Sequence, residues 1–137
     1  LAAMIPIGTA LQTTGVSSLI ATSISTYASS LSLFWILLII LIVTMVTTDI
    51  INNAATAVIM APISTGIALE LGYAIEPFLM VVAVGASCAF LTPIGHQCNT
   101  VVMGPGNYKF TDYWRMGLPM DILIILASIP MILFVWT

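Results

Sequence analysis

A polar island, Thr47-Thr48-Asp49-Ile50-Ile51-Asn52-Asn53-Ala54-Ala55-Thr56, lies between two apolar runs, residues 31–46 and 57–71. In hydrocarbon an unsatisfied polar group costs several kcal/mol, so such a cluster persists only where protein or a water-filled cavity satisfies it. A second island, Thr92-Pro93-Ile94-Gly95-His96-Gln97-Cys98-Asn99-Thr100, follows one apolar run later. Polar residues at membrane depth mark functional sites, and a pair of interrupted apolar segments points to a transporter binding site.

The composition supports a membrane setting. Of 137 residues, 61% are hydrophobic and 5% charged, whereas a soluble domain carries about 25% charged residues. No charged residue occurs in residues 1–48 or 77–108. With no basic patch and no binding motif, a nucleic-acid partner is excluded. Cys88 and Cys98 form neither a CxxC nor a metal spacing, so no disulfide framework is expected. The chain does not begin with Met and starts within an apolar stretch, so it is read as a fragment of a larger membrane protein. A helical span takes about 20 residues.

Residues 1–7 read as a helix that Pro6-Ile7-Gly8 ends. Residues 9–27 form either an interfacial helix with Leu11, Val16, Leu19, Ile20 and Ile24 as its apolar face or part of one tilted span. Ser29 and Ser30 form a break. Residues 31–46 are a dense apolar helix, short for a span, with Trp35 as an interfacial anchor. Asn52-Asn53 caps the next helix, over 54–71, with Gly72 as its C-cap and Pro62 inside it. Two short helices joined by a polar turn make a re-entrant hairpin over 31–72; two full spans with a water-facing loop are the alternative. Tyr73 to Pro77 read as a surface link, 78–91 as a helix that Thr92-Pro93 breaks, and Val101 to Met103 as its continuation, so that the broken helix spans 77–104. Gly104-Pro105-Gly106-Asn107 is a turn. Residues 108–116 read as interfacial and 117–136 as the last span. Lys109 and Arg115, the only basic residues, place their loop in the cytoplasm and the hairpin mouth outside.

At a hairpin tip one helix ends, exposing carbonyls, and another begins, exposing N–H groups. The first suit a hard cation such as sodium, the second an anion. The carbonyls freed near Phe90 and Leu91, with the Thr92 hydroxyl, extend the cation-binding set. Asp49 either offsets a nearby cation or bonds free N–H groups. His96 reads as a hydrogen-bonded loop residue or a proton relay. Glu70, Glu76, Asp112 and Asp121 read as interfacial charges. No GxSxG, HExxH or P-loop is present, and no nucleophile–base set, so an enzyme is not expected.

Residues 48–57, followed by Met60-Ala61-Pro62-Ile63, resemble the C-terminal hairpin tip of the divalent anion:sodium symporter family, whose members carry sulfate, dicarboxylates or citrate. That family has a Ser-Asn-Thr signature at each of two tips. The matching positions here are Asn52, Asn53 and Ala54, so the central Asn is kept and its neighbours are not. The Thr92–Asn99 segment, Gly104-Pro105-Gly106-Asn107-Tyr108-Lys109-Phe110, and Gly117-Leu118-Pro119 look like the sulfate-permease branch, and residues 10–15 also look familial. The resemblance implies an all-α integral membrane fold: a re-entrant helical hairpin plus a discontinuous transmembrane helix, half of an inverted-repeat transporter, with residues 1–137 as the C-terminal repeat. It implies sodium lined by Thr48, the Ile51 backbone, Asn53 and the Leu91 backbone. It implies an anion facing Asn52, Asn53, Ala54, Thr92 and Pro93. It further implies a homodimer in the cell (inner) membrane that performs sodium-coupled symport of sulfate or a dicarboxylate. Arsenite-type or proton-coupled carriers of similar fold, and a non-transporting membrane subunit, are the other readings.

Overall fold

The structure is a computed structural model that describes residue 6, residues 9–10, 13–28 and 31–136. The expected helix over 1–7, the Pro6-Ile7-Gly8 stop, Leu11 and the Ser29-Ser30 break lie wholly or partly outside those residues. The described residues form helices and loops. Helix α1 is Val16–Ala28, α2 Leu33–Ile50, α3 Asn53–Leu71, α4 Ile75–Ser87, α5 Gln97–Met103 and α6 Phe110–Trp136.

Helix α4 is the hub: it packs against α2, α3 and α6, while α1 lies on α3. Its buried side, Phe78, Val81, Val82, Gly85 and Ala86, recurs at helical spacing. Helix α2 presents a matching stripe, Ile36, Leu37, Ile40, Leu41, Thr44, Met45, Thr48 and Asp49. The stripe turns polar only at its C-terminal end, so the same face that builds the core delivers Thr48 and Asp49 to the interior. Gly85 lets the two helices approach closely, since a Cβ there would lie 2.9 Å from the Thr44 Cβ and 3.2 Å from the Leu41 Cδ1.

The hairpin is tight. Only Ile51 and Asn52 separate α2 from α3. Asn52 is the N-cap, its Oδ1 accepting from the Ala55 N–H at 2.8 Å. At the other end Gly72 takes the left-handed conformation (φ 73°), and the Tyr73 N–H returns to the Ala68 carbonyl at 2.9 Å, which satisfies the last turn. Tyr73 then stacks on Phe78 of α4.

Several sequence-based boundaries shift. Helix α2 continues through Thr47 to Ile50, giving 18 residues, or about 27 Å of rise. Helices α2, α3 and α6 are each long and apolar enough to cross a membrane, so length does not distinguish re-entry from spanning. Helix α4 begins at Ile75 and takes Pro77 into its first turn, where proline's missing N–H costs nothing. It stops at Ser87, four residues before the expected Leu91. Cys88 leaves the helical conformation (φ −102°, ψ 71°), and beyond it the Leu91 and Thr92 N–H groups donate to the Asp49 carboxylate. The short helix after the break starts at Gln97 with His96 as N-cap.

Residues 110–116 and 117–136 form one continuous 27-residue helix rather than two segments, and Tyr108 and Lys109 precede it. Pro119 removes only the bond to the carbonyl of Arg115, and Arg115 is exposed. Residues 9–27 are not one helix, since Gly15 breaks them at φ 72°. Asp121 is 7% exposed, on the buried side of α6 with Gly117, Ile129 and Ile132.

A Cβ at Gly117 would collide with the Phe90 carbonyl, and overpacking of this kind costs about 1–3 kcal/mol. Gly117→Ala in the full-length protein should therefore lower thermal stability in detergent, read as earlier loss of the monodisperse peak on heating. Gly104→Ala, where a Cβ meets nothing within 4 Å, is the control.

Candidate functional site

The end of α2, the first turn of α3 and the break at residues 88–96 converge. Thr48, fully buried, donates its hydroxyl to the Ala86 carbonyl at 3.0 Å. Asn53 begins α3 directly above it. In the orientation that matches donors to acceptors, its amide nitrogen donates to Thr48 Oγ1 (2.9 Å), the Gly95 carbonyl (3.2 Å) and the Ala86 carbonyl (3.3 Å). Three oxygens from three segments thus surround one polar hydrogen-bearing group. Gly95 is required here by proximity: a Cβ would lie 2.7 Å from the Thr48 carbonyl and 3.0 Å from Asp49 Cα.

Asp49 joins the tip to the break. Its Oδ1 accepts from the N–H groups of Leu91 (3.1 Å) and Thr92 (3.3 Å), and its backbone carbonyl accepts from Thr92 Oγ1 at 2.6 Å. The Thr92 hydroxyl in turn accepts from the Gly95 N–H at 3.3 Å. Asn99 holds the far side of the break, its Nδ2 donating to the Ala89 and Thr92 carbonyls at 2.9 and 3.4 Å. Tyr113 of α6 donates to the Asn99 carbonyl at 2.7 Å, and Thr100 Oγ1 donates to the Pro93 carbonyl at 2.5 Å. The unwound segment is therefore held open by specific side chains.

The α3 N-terminus keeps anion-binding capacity. Asn52 satisfies the Ala55 N–H, whereas the N–H groups of Asn53 and Ala54 have no acceptor among the described residues. Free N–H groups at the positive end of a helix favour an anion. The carbonyls of Ile51 and Leu91 likewise accept no hydrogen bond among the described residues. Thr56 Oγ1 and Asp49 Oδ2 are buried without a hydrogen-bond partner among the described residues.

Of the site residues read from the sequence, Thr48 and Asn53 are hydrogen-bonded to the same cluster, and Thr92 faces Asp49 across the interface. Asn52 and Ala54 lie in the adjoining turn. Ile51 is 38% exposed at the link. Pro93 is buried in the break. His96 is exposed and caps α5, its Nδ1 accepting from the Cys98 N–H at 3.2 Å. The sequence did not single out the Ala86 and Gly95 carbonyls, because backbone oxygens carry no residue-type signal. The glycine in Pro93-Ile94-Gly95 was the available clue.

A polar hairpin tip locked against a broken helix inside an apolar helical bundle has the geometry of an ion-coupled secondary transporter. The chain matches the family described as Sodium:sulfate symporter transmembrane region over residues 1–137, and it belongs to that family. It is 38% identical over 136 residues to an uncharacterised transporter of Synechocystis sp., covering 99% of this chain and 22% of that protein. It is 48% identical over 82 residues to an uncharacterised transporter of Escherichia coli, covering 60% of this chain and 13% of the relative. It is 29% identical over 81 residues to sodium/sulfate cotransporter 2 of Chlamydomonas reinhardtii, covering 59% of this chain and 9% of the relative. The chain thus spans about a fifth or less of the length of these relatives. It is an integral membrane protein of a transporter family.

Thr48→Val removes the hydroxyl that the Ala86 carbonyl and the Asn53 amide both use. Leaving such buried groups unpaired costs about 1–3 kcal/mol. Thr48→Val should lower the melting temperature of the full-length protein measured without ligand, and Thr48→Ser should restore most of it.

Proposed function

We propose that the whole protein containing this chain is a sodium-coupled symporter of a divalent anion, with sulfate the first substrate, and that the hairpin tip and the break in the α4–α5 segment form one of its sites. The observation that carries this reading is the convergence of Thr48 Oγ1, the Ala86 carbonyl and the Gly95 carbonyl on the side chain of Asn53. Oxygen ligands of this kind suit a hard cation. A half-turn of the Asn53 amide presents its Oδ1 in place of its nitrogen and converts a satisfied donor into a fourth oxygen ligand. The Ile51 and Leu91 carbonyls, which lack hydrogen-bond donors, are the nearby ligands that the family resemblance adds.

The coupling follows from electrostatics. A sodium ion at this cluster sits beside the first turn of α3, where the Asn53 and Ala54 N–H groups have no acceptor among the described residues. The ion's charge adds to the positive end of the helix and favours a divalent anion there, next to Asn52, Thr92 and Pro93. Without sodium the anion faces neutral dipoles alone. By reciprocity the anion tightens sodium binding by the same factor. The Asp49 bridge makes the tip and the break move as one body, so the loaded site travels intact.

Charge asymmetry supports an orientation in which Lys109 and Arg115 face the cytoplasm. The inner membrane is the proposed location, and a homodimer the proposed assembly.

The test is radiolabelled sulfate uptake into proteoliposomes containing the full-length protein, with and without an inward sodium gradient. Uptake should require sodium, and Asn53→Ala should reduce it at sub-saturating sodium by about tenfold or more, equivalent to about 1.4 kcal/mol of binding. Sodium-driven succinate or citrate uptake in place of sulfate changes the substrate and keeps the site. Sodium-driven uptake unaffected by Asn53→Ala rules out the site, and absence of sodium-dependent uptake of all three anions rules out the function.

A further inference from the structure

The break between α4 and α5 leaves a run of carbonyls without helical partners, and their surroundings differ. From Ala89 to Pro93, three of the five accept from side chains of the first turn of α5. Those of Ala89 and Thr92 accept from Asn99 Nδ2 at 2.9 and 3.4 Å, and that of Pro93 accepts from Thr100 Oγ1 at 2.5 Å. The Phe90 and Leu91 carbonyls accept no hydrogen bond among the described residues. The Phe90 carbonyl lies against α6, where a Cβ on Gly117 would collide with it. The Leu91 carbonyl remains, in the same peptide group as the Thr92 N–H that donates to Asp49 at the end of α2.

Asn99 is itself fixed on both sides. Its N–H donates to the His96 carbonyl at 3.0 Å, and its carbonyl accepts from the Tyr113 hydroxyl of α6 at 2.7 Å. With its backbone held by two elements, its side-chain amide is delivered to one place in the break. Carbonyls at membrane depth need partners, and a cation satisfies them as an amide does. Asn99 and Thr100 therefore decide which carbonyls are left for an ion. Discrimination between sodium and a larger cation depends on how many carbonyls can converge and how firmly they are held. Partners one step removed from an ion orient the groups that touch it. Neither Asn99 nor Thr100 belongs to the oxygen cluster around Asn53.

We propose that Asn99 and Thr100 are positioning residues that set cation selectivity: by engaging the Ala89, Thr92 and Pro93 carbonyls, they leave that of Leu91 as the one ligand residues 89–93 offer to an ion at the hairpin tip. That the ion is sodium rests on the symport reading above. Without the Asn99 amide, the Ala89 and Thr92 carbonyls become free to join the set and the loop that carries them loosens. A larger cation such as potassium, which needs less exact placement of its ligands, then competes.

The experiment measures the melting temperature of the purified full-length protein against sodium chloride or potassium chloride, at constant ionic strength held with choline chloride and without sulfate or carboxylate. In the wild type sodium should stabilise and potassium should not. In Asn99→Ala the sodium concentration that gives half the stabilisation should rise about tenfold, the lower end of what losing a ligand-orienting partner costs, and potassium should now stabilise. Thr100→Val should move both in the same direction by less, and Thr100→Ser, which keeps the hydroxyl, should restore the wild-type values. Sodium-driven sulfate uptake into proteoliposomes gives the same midpoints by a second route. A lower melting temperature without ions, with the sodium midpoint and the preference over potassium unchanged, marks a merely structural role and overturns the proposal. If Asn99→Ala does not fold, the two Thr100 variants decide in the same terms. Wild-type protein that sodium neither stabilises nor drives to take up an anion overturns the symport reading and the proposal with it. Sodium dependence that the wild type shows and every variant keeps unchanged overturns the proposal alone.

Discussion

The carboxylate of Asp49 is what the rest of the arrangement depends on. One side chain from the end of α2 captures the two N–H groups, of Leu91 and Thr92, in the segment beyond the end of α4. The consequence is a fixed loop. Asp49 thereby ties the break to the hairpin tip. The unsatisfied backbone that lipid forbids is tolerated here because it is enclosed by protein. The Asn99 amide and the Tyr113 hydroxyl secure the other side of the same segment.

Much of this was legible in residue order. The Asn52 cap, the Gly72 stop and the turn at Gly104-Pro105-Gly106-Asn107 follow from local rules, and each stands where those rules place it. The polar islands revealed the two halves of the site because polar residues in an apolar context need partners. The early end of α4 was hidden, and so was the tie of the segment beyond it to a carboxylate some forty residues earlier in the chain. The continuity of α6 was hidden for a related reason: Gly117 and Pro119 look like a boundary locally, but Gly117 is there to admit the Phe90 carbonyl. That Asp121 is buried against the chain was hidden, because a single acid in an apolar helix looks the same in sequence whether a neighbouring helix covers it or not.

The division of labour among the helices is uneven. Helices α2, α3 and α4 supply most of the buried side chains, whereas α6 exposes large apolar residues such as Leu123, Leu126 and Phe134 along much of its length. A face of that kind is suited to hydrocarbon or to other helices of a larger protein. The candidate site therefore rests on the helices that carry most of the buried side chains.

The two-residue link at Ile51 and Asn52 has an evolutionary corollary. With no slack between α2 and α3, substitutions at the tip alter chemistry one atom at a time, but an insertion or deletion rotates every later residue of α3 by about 100°. Such a change would carry Asn53 away from Thr48 and Gly95 together. Side chains at the tip can thus be exchanged without moving the helix that carries them, whereas a change in the length of the link cannot be made without moving it.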